Sequence, residues 1–172
     1  YFFLMAREKA EFTAPKLSIL LALITSTFIY FIPHPVDTQI YENYSENYQI
    51  IEVNPQVFIY LDADSSITVR RNKPIQVELI RGEAFFDIQA KSKVLHQLEI
   101  IIGNARIFNM GTQFNIKMQN ESSEIAITDG QIELQLPSQT YLISSGRKVE
   151  FNKNLIITDS IINRSEVTPW SK

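Results

Sequence analysis

Cysteine is missing from all 172 residues. Its absence excludes disulfides, thiolate-bound zinc and a cysteine nucleophile. Histidine occurs only as His34 and His96, too far apart for a metal-ligand spacing. Positive charge is in deficit: 16 Lys and Arg stand against 19 Asp and Glu, a formal net charge of −3. No basic patch interleaves with aromatics, so nothing marks a nucleic-acid partner. No residue pattern implies a metal or another cofactor. What the sequence does contain is apolar material: 45% hydrophobic against 20% charged residues, enough for one folded domain plus an anchor or tail. It opens on Tyr1, which reads as a fragment or a processed start, with Met5 as an alternative start.

One run is long, apolar and uncharged: Leu17 to Ile32, LSILLALITSTFIYFI. As a helix it spans roughly 24 Å, slightly short of a ~30 Å hydrocarbon core. Ala14, Pro15 and Pro33 extend the apolar reach. Arg7, Lys9 and Lys16 precede the run, and no Lys or Arg follows it before Arg70. Basic flanks stay cytoplasmic. Residues 1–16 therefore read as a cytoplasmic remnant and 17–33 as a single transmembrane anchor. The rest lies outside, in the periplasm of a two-membrane bacterium. A cleavable signal peptide is the competing reading; no A-x-A-like site follows Ile32 to support it. Residues 34–49, polar, acidic and rich in tyrosine, read as a juxtamembrane linker.

From about Ile50 the period becomes two. Phe114, Ile116 and Met118 alternate with polar neighbours, as do Ile132, Leu134 and Leu136. Such alternation marks strands with one buried face. Asp129-Gly130 is a two-residue hairpin signal. With those two as the loop, Ile127 faces Ile132 and Ile125 faces Leu134, so turn and hydrophobic pattern agree. Gly103-Asn104 predicts a second tight hairpin, with Ile100 against Ile107 and Ile102 against Ala105. Residues 50–162 thus read as an all-β domain of antiparallel hairpins, a sandwich or a solenoid. Residues 163–172 read as a tail carrying Trp170.

Three phrases in this region resemble the extracytoplasmic domain of the FecR family. They are Val77 to Ile88 (VELIRGEAFFDI), Arg106 to Ile116 (RIFNMGTQFNI) and Ile125 to Leu134 (IAITDGQIEL). Tyr141 to Val149 (YLISSGRKV) is a weaker fourth, and Trp170 falls where members often carry a tryptophan. The likeness runs from Leu61 to about Phe151. One departure is Leu61 to Ser66, LDADSS, where the family has a D-G-S turn phrase. The family's cytoplasmic sigma-binding domain and its small following α/β domain have no counterpart here. The resemblance marks Gly82, Glu83, Phe85, Phe86, Asp87, Gly111, Thr112, Phe114, Asn115, Gly130 and Gly146 as motif positions.

Glu83 and Asp87, four apart on a strand, share one face. With no basic or nucleophilic partner in view, they read as structural carboxylates. Phe85 and Phe86 point to opposite faces, one into the core. Gly111-Thr112 carries two readings. The simpler is a β-bulge glycine followed by an ordinary strand residue. The sharper comes from the resemblance: some members cleave themselves at a Gly-Thr bond, the threonine hydroxyl attacking the glycine carbonyl in an N-to-O acyl shift.

The resemblance implies a non-enzymatic relay. Its upstream partner would be the periplasmic signalling domain of a TonB-dependent outer-membrane receptor for iron or another nutrient. Its downstream partner would be an extracytoplasmic-function (ECF) sigma factor, held through the missing cytoplasmic domain. A stand-alone, membrane-anchored envelope domain that binds carbohydrate or scaffolds a complex is the alternative.

Overall fold

The computed structural model describes residues 37–89, 98–109, 111–162 and 167. The expected remnant (1–16), the expected anchor (17–33), Trp170 and nearly all of the expected tail lie outside them. Among the described residues no helix is long and apolar enough to cross a membrane. They form strands β1 (Thr38–Asn43), β2 (Gln49–Asn54), β3 (Val57–Leu61), β4 (Ser65–Arg70), β5 (Ile75–Arg81), β6 (Glu83–Ile88), β7 (Leu98–Ile102), β8 (Ala105–Asn109), β9 (Gln113–Met118), β10 (Ser123–Asp129), β11 (Gln131–Gln135), β12 (Thr140–Ser144), β13 (Arg147–Phe151) and β14 (Ile156–Ile161).

The strands make two seven-stranded sheets. Sheet A runs β1-β4-β5-β7-β8-β11-β12 and sheet B runs β14-β13-β10-β9-β6-β3-β2. Neighbours are antiparallel except β5 and β7, which are parallel. The chain alternates between sheets: β4–β5 lie in A, β6 in B, β7–β8 in A, β9–β10 in B, β11–β12 in A and β13–β14 in B. Period-two side chains explain this arrangement. Most strands have one apolar face, and two such sheets bury those faces against each other. Ile59, Ile67, Val77, Phe86, Ile100, Ile107, Phe114, Ile125, Ile132 and Val149 form one continuous core. Phe86 and Phe114 stack in it, rings 5.1 Å apart and 8° from parallel.

The Gly103-Asn104 hairpin is as expected, with Ile100 opposite Ile107 and Ile102 opposite Ala105. Gly103 has φ +56° at the first turn position, the signature of a type II′ turn.

Asp129-Gly130 is different. It is a corner between sheets, not a hairpin. Ile127 pairs with Phe114 in sheet B, while Ile132 pairs with Asn109 and Ile143 in sheet A. The side-chain test could not separate the two outcomes. A two-residue connection keeps the apolar positions facing inward whether the next strand lies alongside or opposite. Ile125, Ile127, Ile132 and Leu134 are all buried, but across the core rather than along one sheet.

The stretch expected as a linker also differs. Thr38–Asn43 is an edge strand paired with β4 over its whole length, and β2 begins at Gln49. Its inward residues are Tyr41, packed on the core, and Asn43, buried. A strand whose inner face carries only a tyrosine and an asparagine shows no apolar alternation, so its sequence looks like a linker.

Candidate functional site

Three glycines stand at successive corners where the chain leaves one sheet for the other: Gly111 between β8 and β9, Gly130 between β10 and β11, and Gly146 between β12 and β13. Their φ angles are +83°, +77° and +83°, a region that glycine enters without strain. The corners are stitched together at one end of the sandwich. Ser145 N donates to Gly130 O at 2.9 Å, and Gly146 N donates to Ile127 O at 2.8 Å. Gly130 lies directly on the Gly111-Thr112 peptide. A Cβ at Gly130 would stand 2.5 Å from Gly111 O and 2.7 Å from Thr112 Cγ2.

Thr112 is 1% exposed. Its N–H donates to Ile88 O at 3.1 Å and its carbonyl accepts from Ile88 N at 3.0 Å, extending the β6–β9 ladder by one pair. Gly111 is therefore a corner and not a bulge, because the β6–β9 pairing runs through Thr112 without an extra residue. The Thr112 hydroxyl is buried with no hydrogen-bond partner among the described residues. An unpartnered buried hydroxyl costs about 1–3 kcal/mol. Thr112→Val keeps the shape and removes that cost, so urea unfolding is expected to show a gain of about 1 kcal/mol. A loss of stability would mean the hydroxyl has a stabilising partner.

A matching corner pair lies at the other end. Gly82, φ +83°, packs on Ser65, whose Oγ accepts from Glu83 N at 2.9 Å. Asp64 precedes Ser65 at φ +53°. Aspartate is one of the few other residues that tolerates this conformation.

The remaining motif residues divide by strand face. Glu83, Phe85, Asp87 and Asn115 lie on the outer face of sheet B. Glu83 accepts from Asn115 Nδ2 at 2.9 Å and sits 3.6 Å from Lys117 Nζ, while Asp87 accepts from Gln113 Nε2 at 3.1 Å. Each carboxylate thus has its own partners, and the two do not converge on a common point. Phe85 meets Tyr60 edge-on at 6.0 Å, and Tyr60 meets Tyr48 at 5.6 Å. Burial, together with the negative charge of Asp87, raises the Tyr60 phenol above its usual pKa. Phe86 and Phe114 belong to the core. Among the described residues no group of three His, Asp or Glu side chains could hold a metal ion.

Sequence reasoning anticipates an exposed edge strand without locating it, and it misses one ion pair. Among the described residues both sheets end in strands paired on one side only, β1 and β12 in A and β14 and β2 in B. Ile40, Ile50, Leu142, Ile157 and Ile161 stand exposed on these four strands. The alternation of β14 is too weak to reveal this. The Arg147–Asp159 pair, with Nε to Oδ1 at 2.8 Å and Nη2 to Oδ2 at 2.5 Å, joins residues twelve apart, of which Asp159 lies outside every motif phrase.

A family model described as "FecR protein" matches residues 41–133, more than half of the chain. The match starts within β1, upstream of the motif phrases, and so includes residues 41–49 of the stretch expected as linker. Two solved structures, each a "putative anti-sigma factor" from Parabacteroides distasonis, share the fold at 15% identity, with TM-scores of 0.64 and 0.61. Each alignment covers 74% of this chain, and 62% and 61% of the respective structures. The chain thus spans less than two thirds of their length. No curated protein sequence matches it.

Proposed function

This chain belongs to the FecR family, and from that premise we propose that residues 37–162 relay a signal across the bacterial envelope by protein contact. The domain itself is a non-catalytic regulatory module. In this reading residues 17–33 anchor it in the inner membrane, and the sandwich stands in the periplasm. There it meets the signalling domain of a TonB-dependent receptor and passes the state of that receptor to an ECF sigma factor. The supporting observation is the set of exposed apolar side chains on edge strands, Ile40, Ile50, Leu142, Ile157 and Ile161. Unpaired edges accept another protein's strand and carry apolar anchors for it. A strain in which residues 37–162 are deleted is expected to lose nutrient-induced transcription from the sigma factor's promoters. Unchanged induction would contradict the relay.

A second reading concerns processing. The buried Thr112 hydroxyl, unpartnered among the described residues, follows a glycine at φ +83°, an arrangement that suits an N-to-O acyl shift at Gly111-Thr112. The hydroxyl oxygen adds to the Gly111 carbonyl carbon, the C–N bond breaks, and the Thr112 nitrogen takes the proton. Water then hydrolyses the resulting ester. Mass spectrometry of the full chain is expected to show a fragment beginning at Thr112, absent from Thr112→Ala. A single intact mass would exclude the cleavage.

A further inference from the structure

β1 is seated differently from most strands of the sandwich. On its inward side Gln39, Tyr41 and Asn43 lie beside Val69, Ile67 and Ser65 of β4. Of the β1 side chains only Tyr41 packs on the apolar core, and Ile40, on the outer side, is 69% exposed. β2, an edge strand of the other sheet, sends Ile51 and Val53 into the core instead. The hold on β1 is therefore its backbone ladder and a set of polar contacts. Arg71 N donates to Asp37 O at 2.8 Å, Arg71 Nη2 donates to the Tyr41 hydroxyl at 3.3 Å, and Arg81 Nη1 lies 3.4 Å from Glu42 Oε1. Exposed ion pairs add little to such a hold. Its firm point is Asn43, whose buried amide donates to the carbonyls of Asn47, Leu61 and Asp62.

The strand beneath is the contrast. β4 carries no charge from Ser65 to Val69, and all five of those residues are buried. An uncharged edge is a template for further pairing, and β1, with Glu42, is what closes it. β14 is as lightly seated, with Ile156 alone packed on the core, but β13 beneath it bears Arg147, Lys148 and Glu150. β11, beneath β12, bears Glu133. Among the described edge strands β1 alone combines a light seat with an unguarded strand under it.

We propose that β1 is a detachable cover on β4: it leaves the sandwich, up to and including Asn43, while the core of the two sheets stays folded, and its departure bares Ser65–Val69. Segments with few buried apolar contacts open at a free energy below that of global unfolding. Asn43 is the catch. Fraying from Thr38 stops there, and the whole β4 edge is uncovered only when the Asn43 hydrogen bonds break together. The inference concerns the fold alone and does not depend on the relay reading.

The test is native-state hydrogen exchange on the purified full chain in detergent, read at the β1 amides bonded to β4 and at the amides that join β9 to β10. The β1 amides are expected to exchange at least about tenfold faster, with little dependence on urea below the unfolding transition, because a local opening exposes little surface. Ile116→Val, in the core of sheet B, should speed exchange in β9 and β10 about fivefold and leave β1 within about twofold. Asn43→Ala should speed β1 about tenfold or more. If the β1 amides instead match β9 and β10 in rate and urea dependence and follow Ile116→Val, β1 opens only with the whole domain and the proposal is overturned. Exchange in β1 that ignores Asn43→Ala would overturn it too, since the catch would then hold nothing. Either result leaves the relay reading untouched.

Discussion

Gly82→Ala is expected to destabilise the domain by about 3–5 kcal/mol, combining a steric clash with left-handed strain. A Cβ there would lie 2.2 Å from Ser65 Oγ and 2.7 Å from Ser65 Cα. Ser65 is fully buried, and its hydroxyl also donates to Ala63 O at 3.0 Å, so it cannot step aside. The backbone at φ +83° adds its own penalty for any side chain. Gly130→Ala should behave similarly, since its Cβ would strike Gly111 O at 2.5 Å. Gly146→Ala is the control. It has the same φ of +83° but nothing within 4 Å of the added carbon, so only strain of about 1–2 kcal/mol remains. Thermal unfolding should fall by about 10 °C or more for the first two and a few degrees for the third. Equal losses at all three would show that φ, not the close approach of the corners, sets the cost.

Asn43→Ala should cost about 3 kcal/mol, from lost hydrogen bonds and the carbonyls left unpaired behind them. The Asn43 amide donates to Asn47 O at 2.8 Å, Leu61 O at 2.9 Å and Asp62 O at 3.1 Å. Its oxygen accepts from Ser45 N at 3.0 Å and Ser45 Oγ at 2.7 Å. This one side chain ties the β1–β2 turn to the end of β3. Asn43→Asp is the sharper variant. It keeps the acceptors but sets a negative charge against three carbonyl oxygens, and should be at least as destabilising as alanine in a urea titration. A loss below about 1 kcal/mol for both would place the hold on this turn elsewhere.

The sequence makes the strands legible and leaves much of their partnership hidden. Phe114, Ile116, Ile132 and Leu134 announce a buried face by alternation alone, and that face is where they point. Gly103-Asn104 announces a hairpin and makes one. Asp129-Gly130 carries the same signal and makes a corner, because inward parity is common to both. What decides between them is the packing of distant corners, Gly130 on Gly111 and Gly82 on Ser65, and no local pattern encodes such pairs. β1 escaped notice for the opposite reason. Its inward residues, half-buried Tyr41 and buried Asn43, are polar by composition, and Asn43 meets Leu61 O at the end of β3 only in the folded chain. The motif residues were visible by family likeness. Their separation into corner glycines, core aromatics and outer-face carboxylates follows from strand parity once the sheets are known.

The most direct test of the central claim is a calorimetric titration of the folded full chain with purified periplasmic signalling domains of TonB-dependent receptors from the same organism. A relay by protein contact predicts saturable one-to-one binding with a negative heat-capacity change, the mark of apolar surface leaving water. Absence of binding, with the sandwich shown intact by its cooperative unfolding, would contradict it.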